Sequence, residues 1–158
     1  MPALNIKKHN IQEYISGYVD GEGCFSVSFS KRDKLTLGWE TKPSFSVSQN
    51  EDRAQILFLM QNIFQCGFIR RDYSDKTLKY EVRSLENLIS KIIPHFEKHP
   101  LISEKQNDFN RFKEVCFLMQ KNMHKNKNGL KKILDLVFQM NPSGKRKYSK
   151  KDIQNALR

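Results

Sequence analysis

The chain has 158 residues, 38% hydrophobic and 11% aromatic, which is enough for a packed core. Lys and Arg number 28 against 17 Asp and Glu, a net charge of +11 that points to a polyanionic partner, nucleic acid first and an anionic membrane surface second. No apolar run approaches the ~20 residues that span a bilayer, and the opening MPALNIKKHN lacks the apolar stretch of a secretory signal.

Asn10 with Glu13 predicts a capped helix over residues 11–20, with Ile11, Ile15, Tyr18 and Val19 on one face and Gly17 and Gly21 four apart on one stripe. The period then changes to two. In CFSVSFS, Phe25, Val27 and Phe29 face one way and Ser26, Ser28 and Ser30 the other. KRDK makes a turn, and a second strand carries Leu35, Leu37, Trp39, Phe45 and Val47 inward, with Thr36, Glu40, Lys42, Ser44, Ser46 and Ser48 outward. Pro43 marks a bulge or bend near a sheet edge.

A helix follows over residues 51–65, burying Ile56, Leu59, Met60, Ile63 and Phe64, and Gly67 ends it. FIRRDY and LKYEVR form a hairpin around residues 74–76, Leu78, Tyr80 and Val82 alternating with Lys79, Glu81 and Arg83. Ser84 caps a third helix containing Leu85, Leu88, Ile89, Ile92 and Ile93, which Pro94 closes within about a turn. The order is α-β-β-α-β-β-α, an α+β fold with one antiparallel four-stranded sheet and helices on its apolar face. Three further helices follow. The first starts at Ser103 with Gln106 as box partner, the second spans residues 130–140, and Ser149 caps the last. The expected organisation is one domain over residues 1–158, with a core over about 10–96 and a helical part over about 101–158.

Cys24, Cys66 and Cys116 are odd in number and scattered, which fits reduced structural thiols of an intracellular protein. His9, His95, His99 and His124 have no metal-ligand spacing. The outward strand residues are short hydroxyls framed by Lys31, Arg32, Lys34, Arg70, Arg71, Lys76, Lys79 and Arg83. Such a face suits reading base edges while holding phosphates, although a plain solvated face has the same pattern. The candidate DNA-binding set is Ser26, Ser28, Ser30, Lys31, Arg32, Lys34, Thr36, Glu40, Lys42, Ser44, Ser46, Ser48, Arg70, Asp72, Lys79, Glu81 and Arg83.

The stretch ISGYVDGEG, residues 15–23, resembles the signature of the LAGLIDADG homing endonucleases, with Glu22 in place of its last Asp. GKRKYS near the C-terminus is similar to a recurrent feature of that family. The chain has one copy of the motif, so the resemblance implies a homodimer whose motif helices pack through Ser16, Gly17, Asp20 and Gly21. It implies that Glu22, with the Gly21 carbonyl, binds Mg²⁺ (Mn²⁺ or Ca²⁺ substituting for binding), and that Asp20 braces the helix junction. Gln49 is implied to position water, Arg53 to support phosphate or water, and Lys105 to stabilise transition-state charge, with Lys98 the alternative. Ser103 stands where some relatives have a lysine.

The implied activity is site-specific cutting of both DNA strands across the minor groove of a long, nearly palindromic target. It leaves four-base 3′ overhangs and promotes intron mobility in an organelle (chloroplast or mitochondrion) or a microbial cytoplasm. The alternatives are an RNA maturase acting on intron RNA and a catalytically inactive DNA-binding protein.

Overall fold

Asn10 starts helix α1 (Ile11–Glu22), its Oδ1 accepting from the N–H of Glu13 at 3.2 Å. The computed structural model describes residues 4–157, and in it α1 runs past the predicted end at residue 20 and through Glu22. Gly23 then stops it. A Cβ there would lie 2.6 Å from Val19 Cγ1 and 2.9 Å from Val19 O, so glycine lets the chain pass directly into strand β1 (Gly23–Lys31).

The chain divides into two compact units. One comprises residues up to Cys24 together with Ser44–Gln106, the other Phe25–Pro43 together with the residues from Asn107 onward. Strand β2 (Trp39–Asn50) runs through both, and the four strands hydrogen-bond in the order β1-β2-β4-β3.

In the first unit β2 pairs antiparallel with β4 (Thr77–Val82), which pairs antiparallel with β3 (Phe68–Asp72). The registers Phe45↔Val82 and Val47↔Tyr80 fall on one face, Ser46↔Glu81, Ser48↔Lys79 and Arg70↔Lys79 on the other. Residues 51–53 form a 3-10 turn rather than the start of the second helix, and α2 is Gln55–Phe64. Its buried side is Ile56, Leu57, Met60 and Phe64, while Leu59 and Ile63 are only half-buried. Phe45 anchors this core, its ring 6.2 Å from Phe64, 6.3 Å from Tyr80 and 5.6 Å from Phe96. Burial of each such ring contributes roughly 1.5–3 kcal/mol.

The third helix, α3, ends at Lys98, about one turn beyond Pro94, as the sequence predicts. It runs through Leu85–Asn87, a π turn at Leu88–Ile92 and a final segment Ile93–Lys98. The N–H of Ile93 bonds the Leu88 carbonyl five residues back. The ladder has therefore already slipped where the proline, which has no N–H to donate, enters.

In the second unit, residues 32–38 are a turn, not the start of the second strand. The Arg32 N–H donates to Gly38 O at 2.9 Å, and Gly38 sits at φ 78°, a left-handed conformation that suits glycine. Leu35, expected inward, is therefore exposed, although Leu37 is buried. Alternation of buried and open residues runs unbroken through Pro43.

Phe25 packs against Phe109 and Phe112 of α4 (Lys105–Gln120), at 5.2 and 5.3 Å. Helix α5 (Lys127–Val137) begins earlier than predicted because Asn126 caps it, accepting from the Gly129 N–H at 2.7 Å. Ser149 and Asp152 cap α6 (Lys150–Asn155) reciprocally, as the sequence predicts for Ser149. No helix of the described residues is long and apolar enough to cross a membrane.

The segment GKRKYS has a structural use. Arg146 donates to the carbonyls of Val27 at 3.1 Å, Val137 at 2.9 Å and Met140 at 3.3 Å, tying the strand to the end of α5. Arg146→Ala removes these three bonds, although the Val137 carbonyl keeps the Met140 N–H at 3.0 Å, and should cost about 2 kcal/mol in urea unfolding. Arg146→Lys should recover only part of that, because an ammonium lacks the guanidinium fork.

Candidate active site

The last turn of α1 holds Asp20, Gly21 and Glu22 and contains no basic residue. Carboxylates at a helix C-terminus oppose its dipole, so the arrangement needs compensation from elsewhere. Lys105 supplies it, its Nζ donating to the Val19 carbonyl at 3.0 Å. Of the two candidate lysines, Lys105 is the one that reaches the motif helix; Lys98 is exposed at the end of α3 and bonds nothing among the described residues.

Asp20 and Glu22 have different surroundings. Asp20 Oδ2 accepts from the N–H groups of Ile102 at 3.1 Å and Ser103 at 3.0 Å, and Oδ1 accepts from the Ser103 hydroxyl. Burial works against this charge, but the Ser103 and Ile102 hydrogen bonds and the nearby Lys105 outweigh it and hold the carboxyl below its ordinary range. Ser103 is thereby a brace for Asp20, and the expected box partner Gln106 accepts instead from the Leu101 N–H at 2.9 Å. Glu22 is exposed, and among the described residues nothing hydrogen-bonds or ion-pairs its carboxylate.

Tyr18 and Gln49 meet beside it. Gln49 Nε2 donates to Tyr18 Oη at 2.5 Å, while Gln49 Oε1 accepts from the Asn50 N–H at 2.7 Å. Burial pushes the Tyr18 phenol up, the Gln49 bond opposes this, and the charge of Glu22 adds to the rise. Tyr18, on the apolar face by periodicity, thus also presents its hydroxyl to Gln49, and the signal for that contact is a polar-tipped ring within the motif. Arg53 is exposed at the end of the 3-10 turn.

Ser16, expected at an interface between copies, is 2% exposed and faces the chain's own interior. Its hydroxyl donates to His99 O at 2.6 Å, so the His95 Nε2 at 3.1 Å carries the proton of that contact. Burial first, and then the neighbouring His99, pull His95 down to about 4, keeping it neutral. The open side of α1 is Glu13, Tyr14, Gly17 and Gly21. A Cβ at Gly17 or Gly21 would meet nothing within 4 Å, so no neighbour in this chain demands a glycine at either position.

The outward sheet residues divide likewise. In the second unit Ser26, Ser28, Ser30 and Lys42 lie on the open side, and Glu40 accepts from Ser30 at 3.2 Å and pairs with Arg32 at 2.9 Å. Lys34 lies in the 32–38 turn, as the sequence predicts, and so does Thr36, expected on the second strand. Lys31 is on the other side, its ammonium 5.8 Å from the Trp39 ring and 5.5 Å from Tyr148.

In the first unit Ser48, Arg70 and Arg83 are exposed, and Ser44 and Lys79 partly so. Ser46 and Glu81, expected as DNA contacts, are buried at 7% and 3% exposure. Asp72 closes the β3–β4 turn, accepting from the Ser74 N–H at 3.0 Å and hydroxyl at 2.6 Å. Arg71 falls on the opposite face, paired with Glu51 at 2.8 Å.

Asp20→Asn tests the brace. It should destabilise the chain by about 1 kcal/mol at neutral pH, since a charged acceptor becomes neutral. A carboxyl held below its ordinary value stabilises fully above the unfolded value and loses that contribution as pH falls through the folded one. The stability gap between wild type and variant should therefore be constant above the reference value of 3.8 and close below it, measured by urea unfolding from pH 7 to pH 2.

Comparison with known proteins identifies the family. Residues 15–116 match the family described as LAGLIDADG endonuclease. A Neurospora crassa protein named "Probable intron-encoded endonuclease 2" is 37% identical over 123 residues, 77% of this chain and 27% of that one. The chain spans about a quarter of the length of this and two other fungal relatives. Among solved structures, the homing endonuclease I-TnaI superposes with TM-score 0.80 at 30% identity, covering 92% of this chain and 94% of that one. The meganuclease I-SmaMI bound to uncleaveable DNA superposes with TM-score 0.84 at 26% identity, covering 90% of this chain and 48% of that one. With its motif helix, its sheet and these relatives taken together, the chain belongs to the LAGLIDADG endonuclease family.

Proposed function

We propose that this chain is half of a site-specific double-strand DNA endonuclease of the homing type, which hydrolyses phosphodiesters across the minor groove of a long, nearly palindromic target. The observation that carries the reading is the contrast between the two carboxylates. Asp20 is committed to the loop after α3, and Glu22 is left open at the tip of a helix that Lys105 steadies.

The donor chemistry fits a hard divalent cation such as Mg²⁺. Glu22 offers carboxylate oxygens, and carbonyls at the end of α1, including that of Gly21, lack intrahelical partners. Among the described residues no three of His, Cys, Asp and Glu converge. One copy therefore supplies an open half-site, to be completed by water, by DNA phosphate and by a second copy. Such a cation, when bound, activates water and stabilises the leaving 3′-oxygen. The protein's own part is to hold Glu22 at the scissile phosphates, to orient water through Gln49 and its Tyr18 partner, and to meet phosphate charge with Lys105 and Arg53. Mn²⁺ or Ca²⁺ would occupy the same oxygens.

Two copies related by a two-fold axis would pack α1 against α1 through the open stripe of Gly17 and Gly21. The chain's coverage of nearly all of one solved endonuclease and about half of another supports a working enzyme of two such halves. The outward rows of the sheet would enter the major groove on either side. Four-base 3′ overhangs, intron mobility and an organellar or microbial setting follow the same reading. The relatives' names, several of them intron-encoded, support it.

Two experiments test this. Glu22→Gln should retain duplex binding and lose cation-dependent cleavage by roughly 10³-fold or more, the scale of a lost electrostatic stabiliser. Retained cleavage would sink the assignment, and tight binding to intron RNA with no cut of duplex DNA would favour a maturase. Gly17→Leu should fold at least as stably as wild type, since glycine costs a helix roughly 0.5–1 kcal/mol. It should nevertheless weaken self-association on DNA by about tenfold or more in sedimentation, because the helices can no longer approach.

A further inference from the structure

Glu81 is anomalous on the outward face of the sheet. Lys79, Arg70 and Arg83 around it are exposed or half-exposed, yet Glu81 is 3% exposed. A carboxylate is not buried without partners, because desolvation costs more than a lone charge can recover. Its partners are two arginines. Arg83 Nε lies 3.1 Å from both carboxylate oxygens and its Nη2 lies 2.8 Å from Oε1. Arg70 Nε lies 3.9 Å from Oε1. Phe68, opposite Glu81 in the β3–β4 register, holds its ring 5.4 Å from the Arg83 guanidinium. The anchor is dry while the heads are wet, with the Arg83 and Arg70 side chains 61% and 44% exposed.

The geometry decides what those heads can do. Arg83 uses Nε and one terminal nitrogen on Glu81, which leaves the end-on edge of the guanidinium, with its parallel N–H groups, pointing away from the anchor. That edge matches guanine O6 and N7 in the major groove, a bidentate pairing that a free, swinging arginine makes at greater entropic cost. Glu81 also offsets the repulsion among Arg70, Arg83 and Lys79, the last opposite Arg70 in register.

We propose that Glu81 is a positioning residue for sequence readout, a buried carboxylate that aims Arg83 and Arg70 at guanines of the duplex target. It replaces the expectation that Glu81 touches DNA itself, and it rests on the reading of this chain as a DNA endonuclease. An ion pair that only stabilised the sheet would, when broken, weaken binding to every sequence alike; an aiming residue, when altered, removes discrimination at particular bases.

The test is selection from a randomised duplex library by wild type, Arg83→Ala, Arg70→Ala and Glu81→Gln, with sequencing of the bound fraction. Wild type should enrich guanine at two positions of each half-site. Arg83→Ala should erase one and Arg70→Ala the other, each by about 5- to 150-fold. Glu81→Gln should reduce both while preferences elsewhere persist. Glu81→Asp, which keeps the charge but withdraws it by a methylene, gives the same readout should the glutamine variant not fold. Guanine preference left intact in both Glu81 variants, or a uniform loss of affinity across all sequences, overturns the proposal. A wild-type site with no guanine dependent on Arg83 or Arg70 overturns it while leaving the endonuclease reading standing. Selection of no duplex at all would overturn both.

Discussion

The ammonium of Lys105 lies 3.0 Å from the Val19 carbonyl, at the end of a helix whose last turn has two carboxylates and no cation of its own. Without that contact the helix terminus, Asp20 and Glu22 would be three negative elements in one turn. The same residue contributes to holding Asp20 in its charged form, and Asp20 in turn fixes the backbone of residues 102–103. The loop and the helix end therefore define one another. Glu22 can remain unpaired because its neighbours on the chain are paired.

A division of labour follows. Groups that shape the site are satisfied within the chain: Asp20 by backbone, Ser16 by His99 and His95, Gln49 by Tyr18. Groups that have no internal use are open: Glu22, Arg53 and the glycine stripe of α1. A glycine in a helix interior that no neighbour requires is a cost, and one that recurs a turn later suggests a requirement outside the chain. The sheet repeats the pattern, with Glu81 dry and committed and the arginines it holds exposed to solvent.

Much of this was legible in the residues. The change of period from helix to strand after residue 22, the alternation around Phe25 and Tyr80, and the caps at Asn10, Ser84 and Ser149 are local signals, and the structure has those elements. The differences have both local and long-range causes. Leu35 and Leu37 read as strand, but Gly38 closes a turn around them. Lys31 reads as part of a basic frame, although it shares the parity of Phe25, Val27 and Phe29 and so lies on their side, near the Trp39 and Tyr148 rings. Ser16 reads as a contact between copies and Glu81 as a DNA contact, and the pairing of distant segments shows where each is buried.

The central claim is that each of two copies brings one Glu22 to one DNA strand. The most direct measurement is cleavage of a supercoiled plasmid, carrying a duplex selected by the protein, by subunits co-expressed as wild type and Glu22→Gln. The mixed assembly should cut a single strand, so open nicked circles should accumulate beside the linear product of wild-type pairs. A mixture yielding only linear and uncut plasmid would contradict the account, since the two carboxylates would then not be serving separate strands.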